Sequence, residues 1–463
     1  MRNFAKIAIG AVAILLLGLI LGLLLRLPVF SAISRENAAI TILFSSFALM
    51  MLLGAPIAFC LTVSSLLTMI YLKLPAMVVF QRMSAGINAF SLIAIPFFIL
   101  AGQIMADGGI ARRIVEFSNI LIGRVRGGLA MVNILASMFF GGVSGSSVAD
   151  TSSIGAFLIP MMVDQGYDRD FSVAVTITSS TQGIIIPPSH NMIIYSLAAG
   201  GVSVGALFMA GYIPGVMVGV AQMIVAYFIS RKRNYPKAGK VSFKEALIIT
   251  RDSILGLLVA LIIIFGIAFG VFTATEASVI AAVYALVITA FVYKSMNLKR
   301  IIETFKNTTV IVAMVMFVIA SSSAFGYLLA YLKIPAMVAK GLLSVTTNKY
   351  LLMLLINLIL LFLGMIMDMA PLILITTPIF LPIVTSLGWS PIQFGIIMML
   401  NLGIGLCTPP VGTTLFVGCA IGKCSIEKTT RACVPFYIAM IIVLLLVTYV
   451  PWFTMFLGSR FLR

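Results

Sequence analysis

The sequence predicts an all-α polytopic membrane protein built from inverted repeats, with two re-entrant helical hairpins and two discontinuous helices. Three observations carry this. Of 463 residues, 62% are hydrophobic and only 9% charged, and the mean hydropathy is +1.19; no soluble domain has that composition. Polar runs such as Gly141-Gly-Val-Ser-Gly-Ser-Ser-Val-Ala-Asp150 sit between apolar flanks too short to cross a bilayer alone. Non-helical backbone at that depth must be buried in protein or face a water-filled cavity. Finally, the second half repeats the first at an offset of 222 residues: Gly142 falls on Gly364, Pro160 on Pro382, Gly166 on Gly388, Tyr167 on Trp389, Gly183 on Gly405, and Pro187-Pro188 on Pro409-Pro410. Most of these shape the backbone, so chain geometry is what repeats.

Residues 1–37 read as an extra N-terminal transmembrane helix, Ile7–Leu25, and a linker; no small-residue cleavage site follows, so the helix is uncleaved. Residues 38–90 read as scaffold helices, with Ala38–Leu72 either one helix broken at Gly54-Ala-Pro56 or two short ones. The first repeat spans 91–230. It holds the span Ser91–Ala106, a basic loop with Arg112, Arg113, Arg124 and Arg126, a hairpin over about 129–163, and a broken helix over about 171–199. Residues 231–306 combine the basic segment Arg231–Arg251 with central scaffold spans, then Asn297–Lys306 as a short surface helix or a plain loop. The second repeat, 307–463, opens with the span Val310–Leu329. Its hairpin covers about 351–384 and its broken helix about 392–422. Lys and Arg mark cytoplasmic loops; they put the first hairpin's mouth inside and the second's outside, which inverts the halves. Inverted repeats with broken helices point to a secondary transporter. A second match, Tyr71–Met77 with Tyr331–Met337, has a different offset and reads as a local motif.

The net charge of +17 is spread over short loops and orients helices, so no nucleic-acid partner is expected. The five cysteines show no metal-ligand spacing and read as small apolar residues. At the breaks the chemistry is oxygen. Ser144, Ser146, Ser147 and Asp150 face the loop Gln182–Ser189, where Pro187 and Pro188 free upstream carbonyls. Gly364–Asp368 faces Asn401, Gly405 and Thr408-Pro-Pro-Val-Gly412. Oxygen ligands without sulfur or an imidazole cluster suit a hard ion such as Na⁺ and no transition metal. Half-helix N-termini offer free N–H groups to a substrate carboxylate, and neither hairpin tip nor Pro-Pro break carries Lys or Arg. Glu276 reads as an N-terminal helix residue, and the lone His190 as a hydrogen-bonded structural residue.

Six stretches in order, Ile95-Pro-Phe-Phe-Ile-Leu-Ala-Gly102, Arg126-Gly-Gly-Leu-Ala130, Ser144-Gly-Ser-Ser-Val-Ala-Asp150, Ile186-Pro-Pro-Ser189, Thr273-Ala-Thr-Glu-Ala277 and Thr408-Pro-Pro-Val-Gly412, resemble the large membrane subunit of tripartite ATP-independent periplasmic (TRAP) transporters. The resemblance runs from about Ala38 to the C-terminus. It implies sodium-coupled import of an organic acid such as sialic acid or a C4-dicarboxylate across a bacterial inner membrane. It also implies an elevator-type scaffold plus transport domain, a separate small membrane subunit and a periplasmic substrate-binding protein. Carried over by motif, a first sodium site comprises Ser144, Gly145, Ser146, Ser147, Asp150, Gly183, Pro187 and Pro188. A second comprises Gly364, Asp368, Asn401, Gly405, Thr408, Pro410 and Gly412. Substrate contacts fall on Ser146, Ser147, Gln182, Ser189, Thr408 and Thr413. His190 stands where the family carries an aliphatic residue. The rival readings are a stand-alone sodium–carboxylate symporter, an intramembrane aspartyl protease using Asp150 and Asp368, and a channel-like or scaffolding subunit. The protease lacks the expected sequence contexts around its aspartates.

Overall fold

The computed structural model describes residues 34–237 and 242–459; the expected helix Ile7–Leu25 lies outside them. Among the described residues the chain is helical throughout, and seven stretches are long and apolar enough to cross a membrane. These residues fall into two compact units.

The first unit contains residues 34–89 and Met314–Leu342. Ala38–Leu72 is two helices, α1 (Arg35–Leu52) and α2 (Ile57–Leu72), parted by Gly54 at φ +78° and by Pro56, which caps α2. A short α3 (Met77–Ile87) follows. Arg82 lies over the Tyr327 ring at 4.3 Å, and Thr62 donates to Ser321 at 2.9 Å. The local motif shared by Tyr71–Met77 and Tyr331–Met337 is a corner. In each copy a helix stops, a lysine adopts the left-handed conformation (Lys73 at φ +59°, Lys333 at φ +54°), and the next helix begins. Glycine usually fills such a position.

The second unit contains Phe90–Ala313 and residues 343–459. A 3₁₀ turn, Phe90–Ile93, leads into α4 (Ala94–Asp107). The expected basic loop is largely a helix, α5 (Ile110–Ile122), with one apolar face. Its basic residues occupy the opposite side, where Arg112 pairs with Glu116 at 3.1 Å and Arg113 lies 3.7 Å from the Tyr293 ring centroid. The first hairpin is α6 (Gly128–Ser144) and α7 (Ser147–Asp164). The broken helix is α8 (Arg169–Ser180), a single turn α9 (Gln182–Ile185), and α10 (His190–Ala198). The long α11 (Val204–Lys232) returns. The segment Arg231–Arg251 is not all loop, since α12 (Phe243–Ala268) starts inside it with a capping box between Ser242 and Glu245. A second box, Thr273 with Glu276, starts α13 (Ala274–Val287), giving Glu276 the expected N-terminal place; a π-turn, Ile288–Val292, ends that span. The expected surface helix Asn297–Lys306 and span Val310–Leu329 are one helix, α14 (Leu298–Tyr331), whose residues from Met314 belong to the first unit. No glycine or proline interrupts it before Gly326, so nothing breaks the ladder. Then come α15 (Ile334–Val345), the second hairpin α16 (Lys349–Gly364) and α17 (Met369–Ser386), the second broken helix α18 (Pro391–Leu406) and α19 (Thr413–Gly422), then α20 (Ile426–Tyr449) and α21 (Trp452–Gly458).

The 222-residue offset holds element by element. Adding 222 to Ser147–Asp164 gives 369–386, the bounds of α17, and adding it to Arg169 and Val204 gives the first residues of α18 and α20. Gly166 and Gly388 turn the two corners with φ of +87° and +96°. Each hairpin's first arm packs on its own broken helix, α6 on α8 and α9, α16 on α18. Each return arm packs both on the first half of its own broken helix, α7 on α8 and α17 on α18, and on the second half of the other, α7 on α19 and α17 on α10.

At the base of the first hairpin the chain after α11 folds back. Asp168 Oδ2 accepts from Arg233 and from Tyr235 Oη, both at 2.6 Å; Gly127 N and Tyr167 Oη donate to Pro236 O. The ion pair is about half-exposed and therefore partly screened. Asp168→Asn and Arg233→Gln should each cost about 1 kcal/mol or less, and the double variant little more than either alone. Thermal melting of the purified protein at low and high salt checks this, and additive losses would count against a shared pair.

Candidate functional site

Each break meets a hairpin at a crossing of two glycines. In the first repeat Gly141 of α6 lies against Gly183 of α9: a Cβ built on Gly141 would stand 2.4 Å from Gly183 Cα. In the second, a Cβ on Gly405 of α18 would stand 2.5 Å from the carbonyl carbon of Gly364 at the end of α16. Only residues without a side chain allow backbones this close. The sequence offset pairs Gly142 with Gly364, whereas the packed glycine in the first repeat is Gly141, one position earlier. The hairpin tips then touch the breaks. A Cβ on Gly142 would be 3.1 Å from Pro187 O, and one on Gly145 would be 3.2 Å from Pro188 O and from His190 Nδ1. In the second repeat Val411 N donates to Met365 O at 3.1 Å. Both Pro–Pro bonds, 187–188 and 409–410, are cis.

The first tip places its residues by local rules. Gly145 turns the chain in the left-handed conformation at φ +62°, and Ser146 caps α7 through its side chain, which accepts from Ala149 N at 3.4 Å. Ser144 Oγ stays within the tip, 3.4 Å from Ser146 O and N. Ser147 Oγ is 2.7 Å from Thr414 Oγ1, so the first hairpin reaches the second broken helix. Asp150, in the first turn of α7, is fully buried, and neither carboxylate oxygen has a hydrogen-bond partner. Ser189, capping α10, is also fully buried with an unpartnered Oγ.

The second tip differs. Asp368 caps α17 without a side-chain hydrogen bond and is exposed. By the repeat, Asp368 corresponds to Ser146, and Asp150 corresponds to Leu372. The two aspartates, paired in the sequence reading as the carboxylates of two like sites, thus occupy different places in the fold. Asn401 Nδ2 donates to Asn357 O and Oδ1, both at 2.9 Å, leaving its own Oδ1 buried and unpartnered. Its repeat counterpart Ser179 bonds Ser137 of the first hairpin at 3.0 Å. Thr408 Oγ1 donates to Ile404 O, while Thr413 Oγ1 at the start of α19 is buried without a partner. Pro410 and Gly412 form the link, with Gly412 at φ +47°.

Gln182 is not placed at the tip. It faces α11, where its Nε2 donates to Gln222 Oε1 at 2.6 Å. Among the described residues no hydrogen bond reaches the His190 ring, in contrast to the hydrogen-bonded role expected of it. Gln222 and Thr414 were missed by the sequence reading. Gln222 lies within an apolar span and matches no motif, but the glycines at 211, 215 and 219, spaced by four, were a visible sign that something packs closely there. The buried oxygens without partners on Asp150, Gln182, Ser189, Asn401 and Thr413 gather along the hairpins and breaks. Among the described residues no group of three or more His, Cys, Asp or Glu is placed so that it could hold a metal ion. The oxygens on offer are hydroxyl, amide, carboxylate and backbone carbonyl, a set that suits a hard cation rather than a soft one.

Broken helices clasped by re-entrant hairpins in a two-fold repeat define a secondary transporter fold. The YdaH transporter of Alcanivorax borkumensis shares it, with a TM-score of 0.59 at 14% identity over 81% of this chain and 88% of that one. The family model described as "Tripartite ATP-independent periplasmic transporter, DctM component" matches residues 44–453, and the chain belongs to that family. It is 40% identical to the C4-dicarboxylate TRAP transporter large permease protein DctM of Pseudomonas aeruginosa, over 78% of this chain and 84% of that protein. It is 44% identical to the uncharacterized protein YgiK of Salmonella typhimurium, over 91% and 98%. The chain is thus a multi-pass permease of the inner membrane and not an enzyme.

The glycine crossings should not tolerate a methyl group. Gly405→Ala must push against backbone and should cost about 1–3 kcal/mol with loss of most transport. Gly326→Ala, where a Cβ meets nothing within 4 Å, should leave both unchanged. Melting temperature and uptake by reconstituted protein measure the two effects.

Proposed function

We propose that the chain is the large subunit of a sodium-driven importer of an organic acid, working with a small membrane subunit and a periplasmic protein that delivers the substrate. The observation that carries this is Asp150, in the first turn of α7, fully buried with both oxygens unpartnered. An isolated ionised carboxylate in such a place is several kcal/mol unfavourable unless a cation or hydrogen bonds compensate it. A bound sodium ion supplies that compensation, with Ser144–Ser147 and the carbonyls between Gly183 and Pro188 as companions. The second site uses the Gly364–Asp368 tip with Asn401, Gly405 and Thr408–Gly412.

The substrate carboxylate meets the N-termini of α7, α10 and α19, which carry free N–H groups and partial positive charge. Ser146, Ser147, Ser189, Thr408 and Thr413 supply hydroxyls there. The relative that transports C4-dicarboxylates supports an organic acid as cargo. Sodium draws the tips onto the breaks, the acid then binds, and the loaded hairpins cross the membrane together as an elevator. A tip that closes only when both ligands are present couples the two fluxes.

The test is uptake into proteoliposomes holding this chain and its small subunit, with the cognate binding protein outside. Uptake should require an inward sodium gradient and the binding protein. Asp150→Asn should reduce it at least about tenfold, the scale of one lost charge-assisted contact, and the exposed Asp368→Asn less. Uptake without the binding protein would point to a stand-alone symporter. Uptake indifferent to sodium and to Asp150 would sink the coupling mechanism.

A further inference from the structure

The first break does not rest on the hairpin alone. Its other side lies along α11, where Gly211, Gly215 and Gly219 share a face. A Cβ on Gly211 would be 2.4 Å from Ile185 O, one on Gly215 2.4 Å from Ile186 Cγ1, and one on Gly219 3.1 Å from Gln182 Oε1. One turn further along that face stands Gln222, fully buried. Its Oε1 accepts from Gln182 Nε2 at 2.6 Å and its Nε2 donates to Thr178 O at 2.8 Å. Thr178 belongs to α8 and Gln182 opens α9, so one side chain holds both sides of the joint between them. The next residue is Gly183, which meets Gly141 of the hairpin.

The second repeat shows that the fold does not need this device. Adding 222 to Gln182 and Gln222 gives Ile404 and Leu444, both buried. Buried aliphatic residues therefore stand at the corresponding positions of the same architecture. The amide pair is also incompletely satisfied, because Gln182 Oε1 is buried without a partner. Such a group costs stability, so its presence points to a task beyond packing.

We propose that Gln222 is a positioning residue for cation binding at the first break. Acting through Gln182 and Thr178, it fixes the run Gln182–Pro187 against the first hairpin. At the second break the corresponding positions are aliphatic, and α20 reaches that link instead through Tyr437, whose Oη donates to Cys407 O, so the two ion sites differ in what sets their affinity. This rests on the sodium-coupled reading above.

The experiment compares wild type with Gln222→Met, which keeps the length of the side chain and removes both hydrogen bonds. The readouts, on the transporter with its small subunit, are the sodium concentration for half-maximal uptake, the maximal rate, and the sodium-dependent rise in melting temperature. Gln222→Met should raise the half-maximal sodium concentration about tenfold, as expected for hydrogen bonds of this kind, with the maximal rate within about twofold. The double variant Gln182→Ile with Gln222→Leu imports the buried residues that the second repeat carries at these positions. It should show the same sodium defect and no larger one, since the two residues act as a unit. Leu444→Met should leave sodium dependence unchanged. Wild-type sodium dependence in both amide variants would overturn the proposal. So would an equal fall in melting temperature with and without sodium at unchanged half-maximal sodium, which marks a purely structural pair. A wild type indifferent to sodium would overturn the coupling reading and this proposal together, and is seen before any variant is made.

Discussion

The close crossing of a hairpin glycine with a break glycine is the constraint on which the rest of the second unit depends. A broken helix exposes backbone groups that no lipid can satisfy. The hairpin arms, 16 to 18 residues long, lie at the lower limit for crossing a bilayer, and their tips leave further backbone groups to be satisfied. Each is tolerable only when pressed against the other, and the press is closest where Gly141 meets Gly183 and Gly364 meets Gly405. Without a hydrophobic drive between helices in lipid, such close packing and interhelical hydrogen bonds must hold the assembly. The clasps Ser137–Ser179 and Asn357–Asn401 supply the bonds beside the crossings. The return arms then tie the halves by reaching across as well: α7 lies on α19, and Ser147 reaches Thr414.

The shared frame carries unlike chemistry. The buried carboxylate of Asp150 has Leu372 as its counterpart, the cap Ser146 has Asp368, His190 has Gly412, and the Gln182–Gln222 pair has Ile404 and Leu444. Gly142, Gly166, Gly183 and Pro187-Pro188 recur in the second copy, while other residues at the tips and breaks have diverged. That division follows from the physics. A change of glycine at a crossing moves backbone, whereas a change of Asp150 or Gln222 alters only what the frame presents.

Much of this was legible in the sequence because it is written in glycine, proline and charge. The hairpins and breaks were bounded to within a few residues, since Gly145, Pro187-Pro188 and Pro409-Pro410 interrupt apolar runs that nothing else interrupts. The split of Ala38–Leu72 was undecided because Gly54 and Pro56 fit a kink as well as a turn. Helix α5 was hidden because its arginines, counted as loop markers, occupy one side of a short amphipathic helix. The join of Asn297–Lys306 to the following span was missed for the opposite reason: a change of polarity resembled a boundary, although no residue there ends a helix. At the site, residue types and stretches were readable, but pairing was not. Only three dimensions show that Gln182 turns towards α11; that Asp150 and Asp368 are not counterparts already followed from the 222-residue offset and was overlooked.

Where the unpartnered oxygens fall bears on what the frame is for. Buried polar side chains in this chain are mostly satisfied, often by their own helix, as Thr178 bonds Ala174 O and Thr181 bonds Thr178 O. The run Thr176–Thr181 shows that this sequence can bury hydroxyls in quantity without leaving them orphaned. Among the exceptions, Asn119, Ser230, Thr308 and Ser322 lie away from the breaks, whereas Asp150, Gln182, Ser189, Asn401 and Thr413 lie on the hairpins and broken helices of both repeats. Structural polar residues would be expected to find partners wherever the chain places them. Oxygens left open on both broken helices and on the first hairpin are what a site needs if its remaining bonds are made by a cation and an anion that arrive and leave.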